Sequence, residues 1–152
     1  MFKHILIPTD GSRLSHDAAL AGVKLAAALG ARVTGLFAAP AATPIVYRDA
    51  LPVGYQTPEK HAKAINRAAM GYLEVIESAA KAADVACECV SVTDDFPADA
   101  ILALAKKRRC DLIFMSSHGH HGLRGVLLGS ETQKVLAGSS IPVLVYRSHG
   151  SS

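Results

Sequence analysis

Short apolar runs alternate with longer segments whose apolar residues recur at helical spacing along most of this 152-residue chain. The pattern predicts five strands separated by four helices. The predicted strands are 3–8, 32–39, 86–93, 111–116 and 141–146. The first helix begins at Ser12 or Ser15 and stops at Gly30, and the other helices span about 57–83, 97–109 and 129–137. This alternation, with mostly unbroken apolar strands, is typical of an α/β domain whose parallel sheet is covered on both faces.

One long segment, 40–56, has no clear period and contains three prolines and one glycine. We interpret it as a loop, and loops of this length in compact domains are usually functional lids or disordered segments. The chain shows no internal repeat and no linker. It is therefore predicted to form a single domain over 1–147, followed by a short polar tail, 148–152.

Composition narrows the classes of function. Lys and Arg number 16 against 13 Asp and Glu, and aromatic residues are 5% of the chain, so the basic footprint of a nucleic-acid-binding protein is missing. The longest uncharged stretch, 33–47, contains two prolines and is shorter than the roughly 20 residues of a membrane span. Three cysteines and the lack of a signal peptide predict a cytoplasmic protein with free thiols.

Two clusters of histidine or cysteine raise the question of a metal site. Cys87 and Cys89 alternate as strand residues do, but without a second ligand pair they are predicted to be buried or edge thiols. His118, His120 and His121 offer fewer ligands than the four of a closed structural site. We therefore predict no metal site.

Unusual residues follow the first and fourth strands, at 8–12 and 116–119. In parallel sheets, ligands bind outside the carboxyl ends of strands where the strand order reverses. The second turn opens a glycine-rich loop, 115–130, that leads into a helix, as phosphate binding requires. Ser130 and Thr132 could add hydroxyl donors. The alternative is a turn that merely connects strand to helix, and the loop is not a P-loop because no lysine precedes Ser130.

These segments carry a resemblance. The chain resembles the universal stress protein family over essentially its whole length, and the matching parts are the stretch 5–12, the loop 115–130 and the stretch 141–145. In ATP-binding members of that family the loop has the form G-x-x-G-x(9)-G-[ST]. Gly119, Gly129 and Ser130 match its last three fixed positions, whereas Ser116 stands at the first glycine. A second departure is Asp-Phe-Pro at 95–97, where the family often has Gly-x-Pro.

The resemblance implies an open five-stranded parallel sheet of strand order 3-2-1-4-5, a Rossmann-like fold of the adenine nucleotide alpha hydrolase type. It also implies an adenine-nucleotide-binding module of stress response or signalling. The nucleotide would be ATP, or AMP or ADP, with Mg²⁺ held through the phosphates. A homodimer through the last strand, Val143 to Tyr146, is implied as well. The alternative for that strand is a monomer whose tail, 147–152, folds over the edge.

The site residues implied by the resemblance come from four segments. Those near adenine and ribose are Pro8, Thr9, Asp10 and Ala38. Those around ribose and phosphates are Met115, Ser116, His118 and Gly119, and those at the phosphate tail are Gly129, Ser130, Glu131 and Thr132. Asp10 could instead cap the first helix, and Glu131 could point outward and serve the helix dipole.

Two other functions stay open from the sequence. The chain could be a nucleotide-free dimeric stress protein that acts through protein contacts alone. It could also hydrolyse ATP slowly, although no residue stands out as a water-activating base and Arg124 alone could clamp the phosphates.

Overall fold

The fold is described from a computed structural model, which covers residues 1–39, 47–48, 51–52, 58–119 and 128–148. Its strands are β1 (His4–Thr9), β2 (Arg32–Ala39), β3 (Tyr47–Arg48), β4 (Leu51–Pro52), β5 (Cys87–Thr93), β6 (Leu112–Ser116) and β7 (Val143–Tyr146). Its helices are α1 (Arg13–Leu29), α2 (Pro58–Ala82), α3 (Pro97–Lys107) and α4 (Ser130–Gly138). Among these helices, none combines the length and apolar character needed to cross a membrane.

The main sheet is parallel and has the order β5-β2-β1-β6-β7. Counting only its five strands, this is the predicted order 3-2-1-4-5, which is therefore confirmed. The central strand β1 pairs with β2 on one side and with β6 on the other, where Leu6 is the partner of Ile113. The turns that follow β1 and β6 consequently lie side by side at one edge of the sheet.

The segment 40–56, predicted to be a loop, contains a small structure that the sequence pattern missed. β3 and β4 pair in antiparallel fashion, with Tyr47 opposite Pro52. Strands of two residues are too short to show a period, which explains the omission. The rest of that segment, and the end of the tail at 149–152, lie outside the described residues.

The core has two layers because the side chains of each strand alternate between the faces of the sheet. Ile5 and Ile7 pack with α1 and α2, whereas Leu6 packs with α3 and α4, and all three are fully buried. Burying an aliphatic side chain of this size stabilises a fold by about 1.5–3 kcal/mol. The central strand therefore anchors both layers.

Helix α1 connects the site to the core, and its ends are as the sequence predicts. Ser12 is the N-cap, its side chain accepting a hydrogen bond from the Ser15 N–H, and Gly30 ends the helix with a φ of 66°. The helix approaches the sheet closely at Gly22, where a Cβ would lie 2.8 Å from Ile7 Cδ1 and 3.0 Å from Phe114 Cδ1. A side chain at this position would push the helix away from β1 and β6.

A buried histidine lies at the opposite edge of the sheet from the turns. The Nε2 atom of His4 is 2.6 Å from the hydroxyl oxygen of Thr34, and both side chains are buried. Burial, helped by the nearby charge of Arg32, lowers the pKa of His4 from its ordinary value. This histidine is therefore part of the fold in its neutral form.

Candidate functional site

The turn after β1 is held by its own side chains. The Thr9 hydroxyl oxygen accepts from the Gly11 N–H at 3.1 Å and lies 3.0 Å from the Ser15 hydroxyl. Asp10 Oδ1 accepts from the Ser12 N–H at 2.9 Å. Since Ser12 is the N-cap of α1, the alternative that Asp10 caps this helix is wrong. The Asp10 carboxylate instead braces the turn that precedes the helix.

An aromatic residue that the sequence did not indicate borders this turn. Gly11 has a φ of 82°, and a Cβ there would overlap the ring of Tyr72 from α2. Tyr72 also makes an edge-to-face contact with Phe37 near the end of β2, with ring centroids 5.3 Å apart. It therefore forms a wall between the β1 turn and β2. No local signal could have revealed this, because the contact joins residues 61 positions apart.

The turn after β6 explains how serine can occupy the first glycine position of the motif. Ser116 is the last residue of β6 and is not among the residues with positive φ, so a side chain costs no backbone strain there. Its hydroxyl donates to the carbonyl of His118 at 2.7 Å. The substitution thus leaves the backbone path intact and braces the loop.

The two turns meet at Gly119. A Cβ on this residue would lie 3.1 Å from Asp10 Cγ and would overlap one of the carboxylate oxygens. The Asp10 carboxylate can approach the loop only because residue 119 has no side chain. The adjacency of β1 and β6 and this contact bring the turns after the first and fourth predicted strands together.

The start of α4 is fastened to the same loop. The Gly129 N–H donates to the Ser117 carbonyl at 2.7 Å. The Thr132 hydroxyl donates to the carbonyls of Ser116 and Ser117, at 3.0 and 3.2 Å. Because its proton is used in this way, the Thr132 hydroxyl positions the helix and is not available as a phosphate donor.

The first turn of α4 has a backbone arrangement that favours an anion. Within the described residues, no side chain caps this helix at Gly129. The N–H groups of Ser130, Glu131 and Thr132 have no partner within the helix, because the first turn lacks preceding carbonyls. Such N–H groups, together with the positive end of the helix dipole, favour a phosphate or carboxylate.

Glu131 lies in this first turn, but its carboxylate is engaged elsewhere. One oxygen accepts from the Ala98 N–H in the first turn of α3 at 2.9 Å. The other lies 3.2 Å from Lys134 Nζ. The sequence suggested that this side chain serves the dipole of its own helix, whereas the carboxylate binds the first turn of α3. Glu131 could therefore contact the phosphates, as predicted, only through its backbone N–H.

His118 lies between the loop and the helix. Its Nδ1 is 3.1 Å from the Ser117 hydroxyl, and its ring packs 3.7 Å from where a Cβ on Gly129 would be. Its Nε2 atom is buried and has no hydrogen-bond partner within the part of the chain that the structure describes. His120 and His121 lie outside those residues. A buried ring nitrogen without a partner is a feature that a polar ligand would satisfy.

The remaining predicted site residues differ in what they can offer. Pro8 is buried within β1, and Ala38 is half-buried near the end of β2. Met115 is 6% exposed and packs in the core layer that contains α3 and α4. Its side chain is therefore committed to the core, and it can contribute to a site only through its backbone.

Comparisons with known proteins agree with this fold. The profile of the universal stress protein family matches residues 1–147. Universal stress protein YxiE of Bacillus subtilis is 33% identical over 150 residues, covering 97% of this chain and 100% of that protein. A universal stress protein of Thermus aquaticus is 32% identical over 148 residues, with 97% and 100% covered.

Solved structures of the same kind share the fold. That of MJ0577 from Methanocaldococcus jannaschii has a TM-score of 0.77 at 24% identity, with 99% of both chains covered. A universal stress protein in complex with cAMP gives 0.67 at 24% identity, covering 96% and 97%. A family protein of Arabidopsis thaliana with AMP bound gives 0.64 at 15% identity, covering 97% and 93%. On the match over 1–147 and the two close relatives, the chain belongs to the universal stress protein family.

Proposed function

We propose that this protein binds an adenine nucleotide, ATP or its shorter relatives ADP and AMP, in the crevice between the turns after β1 and β6. The main support for the proposal is that the first turn of α4, which no described side chain caps, follows the loop in which Gly119 contacts Asp10. This arrangement brings an anion site and a carboxylate to the carboxyl edge of neighbouring parallel strands. That edge is where α/β sheets bind their ligands.

The phosphates would lie at the first turn of α4, within reach of the N–H groups of 130–132. His118 Nε2 would find there the hydrogen-bond partner that the described residues do not provide. The described residues contain no group of three His, Cys, Asp or Glu side chains that could hold a metal ion. An accompanying Mg²⁺ would accordingly be held mainly by phosphate oxygens and water, as this ion usually is.

The nucleoside would lie toward β1 and β2. Asp10 Oδ1 is used by the turn, but a carboxylate has two oxygens and about four acceptor sites, so it could also accept from ribose hydroxyls. Ala38, half-buried near the end of β2, offers apolar surface for the base, whereas Pro8 is buried within β1 and would shape the site from below. Relatives of this fold crystallised with cAMP and with AMP support an adenine nucleotide as the ligand.

In this proposal the protein is a nucleotide-binding module of stress response or signalling in the cytoplasm. The described cysteines are all free thiols, in keeping with a reducing compartment. The alternative is a nucleotide-free dimer that acts through protein contacts, and it draws on Ser116, whose side chain stands where ATP-binding relatives have glycine. Nucleotide binding decides between the two.

The test combines extraction with calorimetry. Protein purified without added nucleotide is denatured, and the supernatant is resolved by anion exchange; the folded protein is then titrated with Mg·ATP and with AMP. Gly119→Ala should weaken binding by at least about tenfold, or about 1.4 kcal/mol, because its Cβ displaces the Asp10 carboxylate. Gly71→Ala is the matched control, since its Cβ meets nothing within 4 Å. If nucleotide is absent from the extract and no heat accompanies titration, the proposal fails.

We also propose that the protein forms a homodimer through β7. This strand is an edge of the sheet, and its Leu144 is 37% exposed. An apolar strand edge invites pairing with another chain, and antiparallel pairing with a second copy closes a two-fold interface. Sedimentation velocity should show a dimer, and Leu144→Lys should produce monomers. Leu20→Lys is the control, because Leu20 is 38% exposed but belongs to α1 and not to the edge strand. A monomeric wild type would disprove the interface.

A further inference from the structure

Two cysteines stand together on β5, far along the sheet from the crevice. Cys87 and Cys89 are two residues apart, so their side chains leave the same face of the strand. Their sulfur atoms are 3.9 Å apart, and both residues are half-buried beneath α2. The sequence alone favours thiols without a metal here, because no second ligand pair is nearby, but the sulfur geometry adds information that the sequence lacks.

The neighbouring strand makes room for this pair. Cys89 lies beside Gly35 of β2, where a Cβ would come within 2.8 Å of the Cys89 sulfur. The same sulfur is 3.7 Å from the Leu73 carbonyl of α2, to which its thiol donates. The Cys89 side chain thus fits between β2 and α2 because Gly35 has no side chain and because the Leu73 carbonyl accepts its hydrogen bond.

Cys87 is the member of the pair that borders a cavity. It lines a cavity of about 400 Å³ together with Val85 and three charged residues of the α2 C-terminal region, Glu77, Lys81 and Asp84. Two carboxylates against one ammonium group give the cavity a net negative lining. A small cation could therefore reach the Cys87 sulfur from solvent.

The backbone opposes a disulfide between these thiols. Residues two apart on a strand are separated by about 6.6 Å along its axis, and their Cβ atoms point the same way. A disulfide requires Cβ atoms about 3.5–4.5 Å apart. β5 is held along its whole length in parallel register with β2, so closing that gap would require the strand to leave its ladder. An ion between the sulfurs makes no such demand.

We propose that Cys87 and Cys89 bind one Cu(I) ion between their sulfur atoms. Thiolates are soft ligands, of the kind that Cu(I), Zn²⁺ and iron–sulfur clusters take, and the clusters need four of them. Zn²⁺ in a structural site takes four ligands, and the described residues supply no group of three His, Cys, Asp or Glu side chains here. Binding exchanges the two thiol protons for the cation, so protons are released to solvent and no electron is transferred. The site is independent of the nucleotide crevice.

The test titrates the reduced, full-length protein with Cu(I) under anaerobic conditions against the coloured chelator bicinchoninate. We expect one equivalent of Cu(I) to be withdrawn from the chelator. Cys87→Ser, a conservative change at a half-buried position, should weaken Cu(I) binding by at least about tenfold. Cys110→Ser is the matched control, since Cys110 is a buried cysteine of the other core layer and should leave binding unchanged.

Three outcomes would overturn the proposal. The first is equal Cu(I) binding by the wild type and Cys87→Ser, which would place the ion elsewhere. The second is a stoichiometric Zn²⁺ complex that withstands excess Cu(I). The third is ready formation of a Cys87–Cys89 disulfide by hydrogen peroxide with an unchanged circular dichroism spectrum, because the pairing of β5 with β2 should prevent that closure. Circular dichroism of each serine variant verifies that the fold is retained.

Discussion

The hydroxyl of Thr132 joins α4 to the end of β6, and replacing it should separate two contributions to the site. The residue is 3% exposed, and its hydroxyl serves the carbonyls of Ser116 and Ser117. Thr132→Val keeps the shape and removes the donor. A buried acceptor left without its donor costs about 1–3 kcal/mol. Ser117 retains the Gly129 N–H as a partner, so we expect the lower part of this range, about 1–2 kcal/mol.

The assay measures the free energy of unfolding by urea denaturation without nucleotide, and thermal unfolding beside it. A loss of 1–2 kcal/mol should lower the midpoint of thermal unfolding by about 2–8 °C in a domain of this size. Thr132→Ser is the matched control: it keeps the hydroxyl and gives up one methyl group, worth about 0.8 kcal/mol. On the proposed function, ATP affinity should fall about tenfold in the valine variant and stay near wild type in the serine variant.

Two results would refute this reasoning about Thr132. If Thr132→Val is as stable as the wild type, the hydroxyl does not fasten α4 to the loop. If Thr132→Ser loses more stability than Thr132→Val, the methyl group contributes more than the hydrogen bonds do. If the valine variant is less stable yet binds ATP normally, the Thr132 hydroxyl stabilises the fold but does not contribute to nucleotide binding.

Three further perturbations address other parts of the fold. Gly22→Ala should destabilise the protein by about 1–3 kcal/mol, because the added Cβ collides with the sheet. Gly71→Ala should stabilise α2 by about 0.5–1 kcal/mol, because its Cβ meets nothing. Equal free energies of unfolding for the two variants in urea would contradict the close packing of α1 on the sheet at Gly22. Because the pKa of His4 is lowered in the folded protein, His4 of the unfolded chain binds a proton at a higher pH than His4 of the folded protein does. The free energy of unfolding should therefore fall as the pH drops below 6.5. If His4→Gln leaves the dependence of this free energy on pH unchanged, His4 is not its cause. Glu131→Ala should lower the free energy of unfolding by about 0.5–2 kcal/mol, because the Ala98 N–H loses its acceptor. Glu131→Gln should lower it less, because the amide oxygen can still accept from that N–H. Equal decreases in the midpoint of thermal unfolding would show that this hydrogen bond does not stabilise α3.

The sequence was most informative where structure is local. The limits of β2 were predicted at 32–39 and are observed there, and Ser12 and Gly30 end α1 as their chemistry requires. The last strand begins at Val143, two residues later than predicted. Ser139 and Ile141 instead form a turn, in which the Ser139 hydroxyl donates to the Ile141 carbonyl and accepts from its N–H. The strand order came from the family resemblance and could not have come from the period alone.

The candidate site was predicted in its positions but not in the direction of its side chains. Glu131 and Thr132 were assigned to the phosphates from their place in the first turn of α4. Their partners, Ala98 and the end of β6, lie 15 or more residues away in sequence, so no pattern near position 131 reports them. The same holds for Gly35, whose importance to Cys89 depends on the pairing of β2 with β5.

The conformation of Ser116 bears on how members of this family are recognised from sequence. A glycine in a motif is commonly taken to require a left-handed backbone, yet residue 116 is a strand residue whose backbone conformation any L-amino acid can adopt. What the position can restrict is volume and polarity: a small side chain whose hydroxyl finds an acceptor is accommodated. A pattern search that requires glycine at this position would discard chains such as this one. A pattern that admits glycine or serine, and keeps glycine strict at 119, would retain them on physical grounds.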